Sequence, residues 1–131
     1  MKFLRLAALA GALFCVSAAT AAAQGWGALA FSENGTAYAY IRNQESKEAA
    51  EQGALAECAK YAQDCKIYQT FENKCVTLAG ATNGSYGWVV AGATATPEQR
   101  VQGAMAQCKQ HGGEDCRIVV QFCSGIAGPG E

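Results

Sequence analysis

One histidine, His111, occurs in 131 residues, and no two cysteines form a Cys-x-x-Cys pair. Zinc centres are built from such pairs and from histidines, so the seven cysteines point away from metal and towards cross-linking. Nucleophilic catalysis needs a base beside the reacting group, and His111 stands alone before Gly112-Gly113. Its simplest role is a favourable charge or hydrogen bond at a helix C-terminus. Among the glycines, Gly25, Gly27, Gly80 and Gly84 invite a phosphate-loop reading, but no Gly-x-Gly-x-x-Gly or Walker pattern is present. Basic residues are scattered, with no run that would neutralise phosphates, which argues against nucleic acid and against electrostatic membrane binding. No cofactor and no metal are expected.

Long apolar stretches are also missing beyond the N-terminus. Residues 1–23 carry Lys2 and Arg5, an apolar run from Leu6 to Val16, and small residues ending at Ala21-Ala22-Ala23. That pattern predicts a secretory signal peptide cleaved after Ala23. Its apolar run falls short of the roughly 20 residues that span a bilayer. Cys15 follows Phe14, whereas a lipidated cysteine normally follows a small residue, so no lipid anchor is expected. Loss of this leader removes Lys2 and Arg5 and leaves eight Lys/Arg against eleven Asp/Glu, a formal charge of −3. The remaining cysteines are Cys58, Cys65, Cys75, Cys108, Cys116 and Cys123, an even number. An exported domain of this size gains about 2 to 4 kcal/mol from each disulfide, so three bridges are expected, in a periplasmic or secreted protein.

A helix-to-strand unit is written twice. Gly53-Ala-Leu-Ala-Glu-Cys58 precedes Asp64-Cys65-Lys-Ile67, and Gly103-Ala-Met-Ala-Gln-Cys108 precedes Asp115-Cys116-Arg-Ile118. The order of the shared residues indicates an internal duplication, with copies at 26–79 and 86–123. In the first copy, strands over 26–32 and 36–41 flank Glu33-Asn34-Gly35, a hairpin signal. Trp26, Ala28 and Ala30 share one face of the first strand, and Leu29 and Phe31 the other. In the second strand Thr36, Tyr38 and Tyr40 oppose Ala37, Ala39 and Ile41. Ser46 is the expected N-cap of a helix over 47–61, whose stripe is Ala50, Ala54, Leu55, Cys58 and Ala62. Gly53 and Gly103 interrupt the helices at a cost of about 1 kcal/mol each, which suggests close approach to another backbone.

A strand over 65–71 follows, with Cys65, Ile67 and Phe71 on one side, and residues 75–79 extend it after a bend. Gly80–Ser85 reads as the seam between copies. The second copy opens with Tyr86-Gly-Trp-Val-Val-Ala91 and has no counterpart to the Asn-Gly hairpin. Thr96-Pro-Glu-Gln99 starts its helix with a capping box, and Val101, Ala104, Met105 and Cys108 form the stripe. The last strand, 116–122, places Cys116, Ile118, Val120 and Phe122 on one buried face. Residues 128–131 are expected to fray. Six cysteines permit 15 connectivities. The short spacings favour Cys58–Cys65 and Cys108–Cys116, leaving Cys75 with Cys123 across the halves.

These motifs, from the Trp-Gly-Ala-Leu-Ala opening through Asn73-Lys-Cys75 and Tyr86-Gly-Trp88 to the second Asp-Cys, resemble the DUF4189 family of exported bacterial proteins over residues 26 to 123. The resemblance implies an α+β fold of repeated halves, with strands exchanged between halves or chains as one form of it, and brings no catalytic residues. From the residues themselves, the expected fold is a single α+β domain over 24–127, with antiparallel sheet covered by two helices. Asp64 and Asp115 precede strands at equivalent positions, where aspartate commonly satisfies backbone donors. The aromatic group Trp26, Tyr38, Tyr40, Tyr86 and Trp88 is the candidate binding surface, competing with core packing. The reading favoured is an exported, non-enzymatic binding module for another protein or an envelope component, with which a homodimer is compatible. The alternative is a small envelope or extracellular hydrolase using Asp64, Glu114 and Asp115.

Overall fold

Each copy of the cysteine unit turns out to sit inside a larger unit: a two-stranded hairpin, a helix, and a third strand that returns beside the first. The computed structural model describes residues 24–35 and 37–127. Residues 1–23, on which the expected leader falls, Thr36, and residues 128–131, expected to fray, lie outside them. The elements are β1 (Trp26–Ser32), β2 (Tyr38–Gln44), α1 (Lys47–Cys58), β3 (Cys65–Glu72), β4 (Lys74–Gly80), β5 (Tyr86–Ala91), α2 (Pro97–Gln110) and β6 (Arg117–Ser124). They form two antiparallel three-stranded sheets, ordered β2-β1-β3 and β5-β4-β6. The α+β class, the two helices and all three expected cysteine pairs are observed.

The division between copies lies elsewhere than the sequence suggests. β4 does not extend β3; it pairs with β5 and β6 in the second sheet. The seam is therefore the Glu72-Asn73-Lys74 turn, where Asn73 takes φ 51°, a left-handed conformation that asparagine tolerates. Residues 81–85 are instead the second hairpin turn, closed by Ala81 N–H to the Ser85 carbonyl at 2.9 Å. That turn is the counterpart of the one at Asn34-Gly35, so the first copy has no extra hairpin. Both sheets take their strands from one contiguous stretch, so no strand is exchanged between halves. The Cys75–Cys123 bridge joins opposite residues of β4 and β6, inside the second half rather than across the halves.

β1 and β4 lie at the centres of their sheets and are almost entirely buried. The alternation in β1 holds: Ala28 and Ala30 meet α1, while Leu29 and Phe31 face the other sheet. The inter-sheet core joins Leu29, Phe31 and Phe71 to Val76, Leu78 and Phe122. Helices cover the outer faces, with Ala50, Ala54 and Cys58 of α1 on the first sheet and Ala104 and Cys108 of α2 on the second. The layers run helix, sheet, sheet, helix. Small residues on the helix faces let the helices lie close to the strands.

Two facial assignments differ because each third strand carries a bulge. Ala30 pairs with Ile67 but Leu29 with Gln69, leaving Tyr68 extra. Likewise Ala79 pairs with Ile118 but Leu78 with Val120, leaving Val119 extra. One extra residue reverses the alternation. Ile67 and Ile118 consequently meet the helices, whereas Phe71, Val120 and Phe122 turn into the inter-sheet core. The helix glycines also differ from expectation, since they abut side chains rather than a backbone. A Cβ on Gly53 would come within 2.5 Å of Ile41 Cδ1, and one on Gly103 within 2.7 Å of Val89 Cγ2.

Both helix starts form as expected. Ser46 accepts from the Ala49 N–H, and Thr96 and Gln99 complete the reciprocal capping box. In α2, Arg100 occupies the position of Ala50 in α1. It is 4% exposed, donates from Nη1 to the Ala95 carbonyl at 2.7 Å, and so ties down the loop before the helix. Its Nε has no partner among the described residues.

Candidate functional site

Register fixes which residues of the halves correspond. Phe31–Tyr38 and Gly80–Tyr86 are opposing pairs, as are Ala30–Ala39 and Ala79–Gly87, and Leu29–Tyr40 and Leu78–Trp88. Tyr38, Ala39 and Tyr40 therefore correspond to Tyr86, Gly87 and Trp88. Equating Cys58 with Cys108 makes Glu57 equivalent to Gln107 and Tyr61 to His111. Several equivalent residues touch each other: the Gly35 and Gly84 backbones, Tyr38 and Tyr86 with centroids 5.9 Å apart, and Phe71 and Phe122 at 5.8 Å. Self-contact of equivalent groups is the signature of a twofold relation. A polar clasp joins the halves at the far end. Asn43 N–H donates to Ser124 Oγ, which donates to the Gly25 carbonyl, each at 2.9 Å.

Two depressions lie near this contact between the halves. The first has a volume of about 640 Å³ and lies between β2 and the C-terminal end of α1; its walls include Tyr38, Tyr40, Glu57, Tyr61 and Tyr86. The second, about 320 Å³, includes Tyr68, Tyr86, Trp88 and His111, with the two hairpin turns at its rim. Burial pushes the Tyr86 phenol above its ordinary pKa, with the neighbouring Tyr38 phenol as a lesser cause. The Tyr86 hydroxyl donates to the Gly35 carbonyl at 3.3 Å.

The halves differ at their outer strand edges. In the second half, Gln107 Oε1 accepts from the Trp88 N–H at 3.3 Å, and His111 Nδ1 donates to the Tyr86 carbonyl at 2.5 Å. His111 thus forms the C-cap of α2 with its backbone N–H, which bonds the Gln107 carbonyl at 2.9 Å, while its side chain caps the strand edge. The approach is permitted by Gly87, where a Cβ would fall 2.2 Å from Cys108 N and 2.3 Å from the Ala104 carbonyl. In the first half that position is Ala39, whose methyl group keeps the helix off the strand. Glu57 is turned instead to Lys60, which donates to both its carboxylate oxygens at 2.7 and 2.9 Å. Tyr61 is 73% exposed. The wider groove follows from these substitutions.

Of the five aromatic residues expected to form a surface, the fold brings Tyr38, Tyr40 and Tyr86 to the larger groove. Trp88 lies in the adjoining cleft against Phe31 and Tyr68, with ring centroids 5.3 and 6.0 Å away. Trp26 packs on the α1 side of the first sheet and belongs to neither depression. Glu57 and Tyr61 went unnoticed in the sequence, although matching the two cysteine units would have shown them as the positions that change.

The equivalent aspartates are bound to turns. Asp64 Oδ2 accepts from Asn34 N–H at 3.1 Å; Asp115 accepts from Thr82 N–H at 3.0 Å and from Thr82 Oγ1 at 2.6 Å. Those Thr82 bonds hold the Asp115 carboxyl below its usual pKa. A lowered carboxyl pKa stabilises the fold above the unfolded pKa of about 3.9, and the contribution vanishes as pH falls through the folded value. Wild type should therefore have a higher urea midpoint than Asp115→Asn at pH 7, and the difference should begin to shrink only as pH falls below about 4 and vanish once the folded carboxyl is protonated. A difference independent of pH would place its origin in packing. Among the described residues, no group of three or more His, Cys, Asp or Glu is arranged to hold a metal ion, and no helix is long and apolar enough to cross a membrane.

A family model described as "Domain of unknown function (DUF4189)" matches residues 26–123. No curated protein and no solved structure matches.

Proposed function

We propose, for a chain that belongs to the DUF4189 family over residues 26–123, that it is an exported binding module working outside the cytoplasm without catalysis. The observation that carries the reading is the groove between β2 and α1, where Tyr40 and Tyr61 stand exposed at an open strand edge. Aromatic side chains supply large contact area at small entropic cost and recur at binding hot spots. Three disulfides favour an oxidising compartment, periplasmic or extracellular, in keeping with the leader expected over residues 1–23. The partner is a protein or envelope component. Of the three carboxylates on which hydrolysis would depend, Asp64 and Asp115 are each engaged by the backbone of a hairpin turn, at Asn34 and Thr82.

The test is affinity capture from envelope and culture fractions with the processed protein as bait. A reproducible partner is expected, and Tyr61→Glu should reduce its recovery while leaving the unfolding midpoint unchanged. Recovery of no reproducible partner overturns the reading.

A further inference from the structure

We infer that the outer edge of β2 is a strand-addition site for an extended peptide segment carrying a basic side chain. The inference rests on the binding reading above and specifies its ligand. Ser32 N–H donates to the Ala37 carbonyl at 2.9 Å, making that opposing pair a hydrogen-bonded one. Antiparallel pairing alternates, so Ala39 faces β1 with its backbone groups, while Tyr38 and Tyr40 direct theirs outward. No described residue meets those outward groups. An extended chain laid along the edge supplies the donors and acceptors they need.

The second half shows the same edge already occupied. At the positions equivalent to Tyr38 and Tyr40, the Tyr86 carbonyl takes a donor from His111 and the Trp88 N–H finds an acceptor in Gln107. Two side chains of the helix thus stand where an added strand would bond. In the first half their places are held by Tyr61 and Glu57, neither of which bonds the strand, and Ala39 holds the helix back. The space left is the groove of about 640 Å³.

Charge selects among extended segments. Glu57 is the only acidic or basic side chain among the residues named as walls of the groove, and its ion-pair partner among the described residues is Lys60, an exposed side chain just beyond the end of α1. A ligand Lys or Arg meets a carboxylate and neighbouring tyrosine faces there. An acidic segment meets repulsion.

Three blocked heptapeptides alternating valine with lysine, serine or glutamate serve as probes for the isotopically labelled protein. The lysine peptide should shift the Tyr38 and Tyr40 amides and slow their exchange; the serine peptide should bind more weakly and the glutamate peptide least. Glu57→Lys, a change on the exposed helix surface, should weaken the lysine peptide by about fivefold and reverse the order of preference. The triple change Ala39→Gly, Glu57→Gln and Tyr61→His copies the second half's clamp and should abolish binding. Absence of any response at β2, equal binding of all three peptides, or unchanged preference in Glu57→Lys overturns the assignment. Should the envelope partner be captured equally by wild type and the triple variant, the binding reading survives and strand addition falls. A dimer seen by sedimentation and lost in the triple variant would put a second copy on this edge, again overturning the peptide assignment.

Discussion

Replacing Cys75 and Cys123 together by alanine is expected to lower the unfolding free energy by about 4 kcal/mol, a large share of the roughly 5 to 15 available to a domain. The bridge closes a loop with a sequence separation of 48, whereas the Cys58–Cys65 and Cys108–Cys116 bridges have separations of 7 and 8. In the chain-entropy account, the short loops correspond to about 2.4 kcal/mol each. The long bridge also ties the first strand of the second half to the last, at residues directly opposite in the ladder with Cα atoms 3.9 Å apart. Both cysteines are nearly fully buried, so alanine adds a small packing loss to the entropic one. Urea midpoints of the three paired variants should rank with Cys75/Cys123 lowest. Equal midpoints would mean that strain or residual unfolded-state structure, rather than loop length, controls the effect.

Local chemistry made much of this fold readable. β1 and β5 begin and end as alternation predicts, the capping residues of both helices bond as their types require, and short cysteine spacing predicts the short bridges. What failed depended on pairing. The bulges at Tyr68 and Val119 are properties of a strand and its partner, and a residue-by-residue alternation carries no sign of them. The seam failed for a related reason: β3 and β4 are joined by a tight turn and both are apolar, so only their partners separate them into different sheets. Misplacing the seam hid the correspondence of Ala39 with Gly87, and with it the cause of the groove. The tyrosines were visible as a group, yet their meeting depends on the twofold contact of two turns 49 residues apart at Gly35 and Gly84. Trp26 was grouped with them because strand residues look alike when the covering helix is unknown.

Gly87→Ala should cost about 3 kcal/mol, the upper part of the range for overpacking. The severity follows from what the added carbon would meet. Cys108 N and the Ala104 carbonyl are backbone atoms of a helix that the Cys108–Cys116 bridge restrains, so no rotamer change relieves the contact. Gly53→Ala is the instructive comparison, because there the obstacle is the tip of the Ile41 side chain. That tip can turn aside, and the gain in helix propensity of about 1 kcal/mol offsets the repacking. Gly53→Ala should therefore unfold near the wild-type midpoint. In Gly87→Ala the helix must instead rise from β5, breaking the bonds from Gln107 to Trp88 and from His111 to Tyr86. Amide exchange at Trp88 should accelerate more than at the β4 centre, which separates local lifting from general loss of stability. Uniform acceleration would show that the clamp does not move as a unit. Local acceleration would show that one methyl group decides whether a half carries a sealed edge or an open one, which is the difference between Gly87 and Ala39 in the native chain.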